Sequence, residues 1–176
     1  MIVIDDYVKD KTLLNKIKDN PVFLETGFMW WDGWGSSSSN TLKKHLIEYI
    51  WRNNPPCLYE NIKGFEYWCN TLKKDQGLPV HFDKDEKVYQ DHNKIVSPLV
   101  GCIYYPFDNH IKGGYLEIYH KGKNKEPERL MPKFNRLVVF DTGSCEHGVS
   151  TVDQGPRISI AINLWTKIPS GLEIDN

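Results

Sequence analysis

The chain has 176 residues and a mass of 20.5 kDa, with 22 basic and 23 acidic side chains and a formal charge of −1. That length suits one domain whose core is large enough to fold without disulfides or a structural metal. The charge balance excludes a strongly basic nucleic-acid binder of the arm or patch type, and 40% apolar with 12% aromatic residues excludes a disordered chain.

Ile2–Ile4 is a short apolar run expected as a strand. Leu13, Leu14 and Ile17 fall at helical spacing, so a helix is expected from Thr12 to Ile17, with Pro21 as a stop. The aromatic segment Phe28 to Trp34 is followed by a serine loop, Ser36 to Ser39. Its tryptophans Trp30, Trp31 and Trp34 either pack a core or line a substrate groove; packing is the commoner use. A helix is expected from Thr41 to Arg52, capped by Ser39 or Asn40 and ended by Asn53-Asn54-Pro55-Pro56. Leu42, His45, Leu46, Tyr49 and Ile50 share one face of it. Tyr67 to Asn70 is expected to pack beneath the residues that follow, with Tyr67 the one that can reach a site.

From Pro79 onward, short β-rich runs alternate with Gly, Pro and Asn breaks. Strands are expected over Val96–Tyr105, Tyr115–His120, Arg136–Phe140 and Arg157–Trp165. In the last, Ile158, Ile160 and Ile162 alternate with Ser159, Ala161 and Asn163, the period of a strand with two different faces. The pattern points to a mainly β domain over residues 1–176 with flanking α-helices, a sandwich or jelly-roll-like barrel. No run of about 18 apolar residues is present, so no membrane span is expected. The start MIVIDDYVKD lacks the form of a signal peptide. Cys57, Cys69, Cys102 and Cys145 form no C-x-x-C pair, which favours a reducing, cytoplasmic setting over a disulfide framework.

The residues that carry chemistry are His81-Phe82-Asp83, His147, and Arg157 with Ser159. Six histidines and thirteen aspartates make an isolated His-x-Asp a weak signal. Its setting strengthens it. Residues i and i+2 of a strand point the same way, so an imidazole and a carboxylate converge, and a histidine from a distant strand completes a three-ligand face. Two His and one carboxylate on an octahedral ion leave about three positions open, the arrangement of Fe(II) oxygen chemistry. Arg157, ten residues after His147, opens an apolar strand. A fork-shaped permanent cation there suits the far carboxylate of a small diacid, and the Ser159 hydroxyl faces the same side. The alternatives are bland ones: a surface His-Asp pair, a loop histidine and a surface arginine. His45 with Glu48 reads as a helix face, His92, His110 and His120 as solvated, Cys145 as an inert small residue, and Asp83 to Lys87 as a solvated loop after the first ligands.

From Tyr67 to Trp165 the sequence resembles the Fe(II)- and 2-oxoglutarate-dependent dioxygenases, on the prolyl 4-hydroxylase-like branch. The resemblance lies in His81-Phe82-Asp83, Gly101 to Tyr105, Gly113 to Ile118, Arg136 to Asp141, and His147 through Arg157-Ile158-Ser159. It implies a distorted double-stranded β-helix over residues 67–165, with residues 1–66 as helical and strand support. It further implies His81, Asp83 and His147 as iron ligands, Arg157 with Tyr105 and Ser159 at the C5 carboxylate of 2-oxoglutarate, and Ile103, Leu116 and Val149 as walls of that pocket. The implied reaction is hydroxylation of a C–H bond with release of succinate and CO2, O2 as cosubstrate and ascorbate as a supporting reductant. A prolyl residue of a protein or peptide is the leading substrate, with a free amino acid or other small molecule as the alternative. A non-catalytic metal- or diacid-binding module on the same fold, and a cupin-type metal enzyme without 2-oxoglutarate, are the other readings. Nucleic-acid demethylation is a weaker enzyme alternative, since the net charge offers no phosphate-binding excess.

Overall fold

Strand β12 (Arg157–Trp165) organises the molecule, and every one of its nine residues is buried. The computed structural model describes residues 1–52 and 61–172, so the expected stop at Asn53–Pro56 and Cys57 lie outside the described residues. The alternation read from the sequence is present, but neither face of β12 meets water. Ile158, Ile160, Ile162 and Leu164 face a helix-side core, while Arg157, Ser159, Ala161 and Asn163 face the opposite way. A strand central in its sheet and covered on both sides keeps its period of two but loses the solvated face that alternation usually marks.

The remaining strands are β1 (Ile2–Ile4), β2 (Met29–Trp31), β3 (Gly64–Leu72), β4 (Leu78–His81), β5 (Val100–Tyr104), β6 (Lys112–Gly113), β7 (Leu116–Tyr119), β8 (Glu128–Leu130), β9 (Leu137–Phe140), β10 (Glu146–Val149) and β11 (Val152–Gln154). One six-stranded sheet runs β1-β9-β5-β12-β3-β2, and a four-stranded sheet runs β4-β10-β7-β8. Every pairing is antiparallel. Ile103, Val138, Phe140 and Ala161 of the larger sheet meet Leu116 and Ile118 of the smaller. The result is the expected class, mainly β with flanking helices, as a distorted double-stranded β-helix.

The other face of the larger sheet is covered by α1 (Lys11–Ile17), a 3-10 turn at Pro21–Leu24, and α2 (Leu42–Arg52). Two expectations for α2 change. Thr41, not Ser39 or Asn40, caps it: its hydroxyl accepts from the Lys44 N–H at 3.2 Å. The buried face is Lys43, Leu46, Ile47, Ile50 and Trp51, leaving His45 exposed. The apolar stripe therefore sits one position further round than Leu42, His45 and Tyr49 suggested. Residues 1–66 contribute β1 and β2, the two edges of the larger sheet, as well as these helices.

The strand expected at Val96–Tyr105 is shorter, starting at Val100 after Pro98, which has no N–H for a ladder. The charged run after Asp83 is not simply a solvated loop. Asp85 is buried, and its side chain caps α3 (Glu86–His92) by accepting from the Val88 N–H at 3.0 Å.

Candidate active site

A cavity of about 630 Å³ opens between the two sheets, within the usual size for a small-molecule site. His81 ends β4 and His147 lies within β10, directly opposite in register. His147 is thus a strand residue, on a strand distant in sequence from the one that ends at His81. The two rings stand 4.5 Å apart between centroids. Each ring is anchored by its Nδ1, His81 to the Pro79 carbonyl at 2.8 Å and His147 to the Cys145 carbonyl at 3.0 Å. A carbonyl only accepts, so Nδ1 donates in both rings and Nε2 is the nitrogen left to face the third ligand.

Both Nε2 atoms converge on one oxygen. Asp83 Oδ1 lies 3.5 Å from His81 Nε2 and 3.6 Å from His147 Nε2. The other carboxylate oxygen, Oδ2, accepts from the Asn163 amide at 3.0 Å, and Asn163 Oδ1 accepts from the Thr142 hydroxyl at 3.1 Å. Burial alone would raise the Asp83 pKa, but hydrogen bonds from His147 and His81 outweigh it and hold the carboxyl well below the usual range. The His81 pKa is raised, chiefly by its bond to Asp83. One donor atom from each residue lies within 4.8 Å of the others, and the three can hold a metal ion. Two fixed imidazoles and one ionised carboxylate fit Fe(II), and the anchored Nδ1 groups and Asn163 are the outer partners that such ligands need.

At the other end of the cavity lies Arg157, 1% exposed. Its Nε donates to the Gly114 carbonyl at 3.0 Å, Nη1 to the Ser159 hydroxyl at 2.8 Å and Nη2 to the Tyr105 hydroxyl at 3.1 Å. All three partners are neutral, and no carboxylate among the described residues pairs with it. The Gly113-Gly114 pair has φ of +69° and +64°, and a Cβ on Gly114 would lie 3.2 Å from Arg157 Cδ. That backbone conformation turns the carbonyl onto the guanidinium and leaves room for its stem.

Most of the expected residues gather here. Ile103, Leu116, Val149 and Ser159 line the cavity with Arg157 and the triad. Tyr105 touches Arg157 with its hydroxyl, while its ring packs in the inter-sheet core. Tyr67 is not at the site: it points into the helix-side core, as does Trp31, which packs with Trp34 and Phe65. Cys145 contributes its backbone carbonyl. His45, His92, His110 and His120 are exposed.

Four residues escaped the sequence reading: Thr142, Asn163, Glu66 and Trp68, all on the cavity wall. Asn163 shares the polar face of β12 with Arg157 and Ser159, and Glu66 interrupts the aromatic run Phe65 to Trp68; both signals were available. Gly101, opposite Asn163 in β5, leaves the space it needs, since a Cβ there would collide with Asn163 and Thr142.

Comparison with known proteins decides the family. Residues 67–166, more than half of the chain, match the model described as "2OG-Fe(II) oxygenase superfamily". The chain belongs to this superfamily. It is a 2-oxoglutarate-dependent dioxygenase, with Fe(II) and 2-oxoglutarate as its cofactors. No curated protein sequence matches it. Among solved structures, the dioxygenase is similar to a Pseudomonas putida prolyl-4-hydroxylase, with a TM-score of 0.65 at 14% identity over 95% of this chain and 92% of that one. A Trichoplax adhaerens prolyl hydroxylase in complex with a hypoxia inducible factor peptide fragment gives 0.60 at 16% identity, covering 94% and 83%. A 2-oxoglutarate complex of the viral collagen prolyl hydroxylase of Paramecium Bursaria Chlorella virus-1 gives 0.53 at 13%, covering 93% of each chain. At these identities the likeness is one of fold. No helix of the described residues is long and apolar enough to cross a membrane.

Proposed function

We propose that this dioxygenase hydroxylates a prolyl residue of a peptide or protein, with His81, Asp83 and His147 as the iron ligands and Arg157 as the anchor for 2-oxoglutarate. The observation that carries the site assignment is the pairing of two groups in one cavity. Three ligand atoms converge within 4.8 Å of one another, and a buried guanidinium has only neutral protein partners. A dianion that chelates a divalent ion completes both. The peptide complex of the Trichoplax neighbour and the prolyl hydroxylase fold support the substrate class.

Arg157 and Ser159 would hold the C5 carboxylate, with Tyr105 steadying the guanidinium from behind. Ile103, Leu116 and Val149 line the cavity and would wall the cosubstrate. Asn163 ties Asp83 Oδ2, which would leave Oδ1 to hold the ion. When bound, Fe(II) supplies oxygen activation coupled to oxidation of 2-oxoglutarate; overall, 2-oxoglutarate, O2 and R–H give succinate, CO2 and R–OH. A carboxylate at Asp83, in place of a small residue, favours hydroxyl over halide transfer. Residues 1–176 are taken as a single catalytic unit. The free thiols of Cys69 and Cys102 are in keeping with a reducing compartment such as the cytoplasm.

The test begins without oxygen. Fe(II) and 2-oxoglutarate together should produce a visible charge-transfer band, which His147→Ala abolishes. In air, a proline-containing peptide should raise succinate formation. Arg157→Met should raise the 2-oxoglutarate concentration needed by about 100-fold, the scale of losing a charge-assisted pair of hydrogen bonds. No band and no succinate would overturn the assignment.

A further inference from the structure

The cavity wall carries a second ionisable group without a counter-charge, the half-buried Glu66. Glu66 lies on β3 opposite Asn163, and its carboxylate accepts from the Trp165 indole N–H at 2.9 Å. Asn163, opposite it in register, donates to Asp83 Oδ2 at 3.0 Å, so one residue adjoins both carboxylates. No cation among the described residues pairs with Glu66. The lysines at the mouth are taken: Lys84 pairs with Glu86 at 2.8 Å and Lys87 with Asp91 at 2.7 Å. Burial pushes the Glu66 carboxyl up to about 7, and the charges of Asp83 and Asp85 add to the shift. Such an acid is costly unless a ligand brings the missing charge.

Position decides which ligand. Arg157 lies opposite Leu72 and Asn163 opposite Glu66, six residues apart along β12, or about 20 Å at a strand's rise. Asp83 is tied to Asn163, so the metal triad stands at the Glu66 end of β12, away from Arg157. A diacid anchored at Arg157 and reaching the triad would end there, leaving Glu66 to face the substrate. Trp68, two residues on, projects from the same face of β3 into the same cavity. Phe28 stacks on Trp68 with centroids 4.9 Å apart and is 64% exposed at the mouth. A carboxylate beside an open aromatic face is the environment that receives an organic cation.

We propose that Glu66 is a specificity residue that binds a cationic group of the substrate, an alkylammonium or guanidinium, with Trp68 and Phe28 offering their ring faces to it. Two sources share that chemistry: a basic side chain near the hydroxylated residue of a peptide, and the ammonium of a free amino acid. The assignment rests on the dioxygenase reading for which half of the cavity is the substrate side, but cation binding is measured without turnover.

The full-length protein, loaded with Fe(II) and 2-oxoglutarate under nitrogen, is titrated with acetyl-Lys-Pro-Gly-amide, acetyl-norleucine-Pro-Gly-amide and free L-lysine, followed by calorimetry and tryptophan fluorescence. At least one of the two lysine probes should bind about tenfold or more tightly than the norleucine peptide, as a hydrogen bond to a charged group gives. Which of the two does so identifies the source. Glu66→Gln keeps the side-chain volume and an acceptor for Trp165, and should reduce the preference to within about twofold while the norleucine peptide binds as before. Equal binding of all three probes by the parent protein, or a preference that survives Glu66→Gln, would overturn the proposal. Failure of the dioxygenase reading shows separately, as a missing charge-transfer band before any probe is added.

Discussion

Glu66→Gln also makes a prediction about the metal-free protein that needs no ligand at all. The carboxyl is raised from its ordinary 4.5 to about 7, with burial as the largest cause. A folded-state pKa above the unfolded one means that the native protein holds a proton that the unfolded chain has released, so stability is full below about pH 4.5 and falls as pH rises to about 7. The gap of about 2.5 units, at about 1.4 kcal/mol per unit, makes the loss approach 3 kcal/mol at pH 8 and only about 1 kcal/mol at pH 5. Glutamine does not titrate and retains the acceptor for Trp165, so the variant escapes the loss. Urea denaturation of both proteins should give the variant an advantage of about 3 kcal/mol at pH 8, shrinking to about 1 kcal/mol at pH 5. At pH 8 this corresponds to a melting point higher by roughly 5–10 °C for a chain of this size. An advantage that does not change with pH, or a variant that is less stable at pH 8, would refute the view of Glu66 as a desolvated acid without a counter-ion.

Asn163→Ala frees Asp83 Oδ2 and leaves the Thr142 hydroxyl without its partner, so Fe(II) affinity should drop by about 10–100-fold; competition with a colorimetric chelator measures it, and an unchanged affinity contradicts the role given to Asn163. Gly114→Ala puts a Cβ at φ +64° and 3.2 Å from Arg157 Cδ, so unfolding free energy should fall by about 1–2 kcal/mol. Denaturant midpoints equal to those of the parent protein would show that the backbone yields there at no cost. Asp5 is held by Arg136 at 2.6 Å and Lys133 at 2.9 Å, and hydrogen bonds from Arg136 and then Lys133 keep its carboxyl well below the usual range. Its contribution is present above the ordinary carboxylate pKa and is lost as pH falls below about 4. Asp5→Asn should cost no more than about 1 kcal/mol at pH 7, because the pair is partly solvated, and the difference from the parent should vanish toward pH 3.

The site was legible in the sequence where chemistry and spacing coincide. His-x-Asp at 81 and 83, a second histidine at 147 and Arg157 with Ser159 two residues on are groups whose types and offsets suit one ion and one diacid. The structure brings all of them into one cavity. The strand β12 was readable to the residue because its alternation runs nine positions without a break. Short strands with irregular ends were less so: β4 and β10 carry two of the triad side chains but hold only four residues each.

Tertiary structure decided the rest. Period-two alternation says that β3 and β12 have two faces, not which face meets helices and which meets the cavity, so Tyr67 and Trp68 could not be told apart until the sheet was assembled. The choice of Nε2 over Nδ1 in both histidines depends on the carbonyls of Pro79 and Cys145, which backbone geometry places and side-chain identity does not. Two charges, Arg157 and Glu66, look ordinary in a chain whose total is −1. Only the assembly of the two sheets buries Arg157, half-buries Glu66 and leaves both without a counter-charge among the described residues, which marks each as a candidate ligand-binding group.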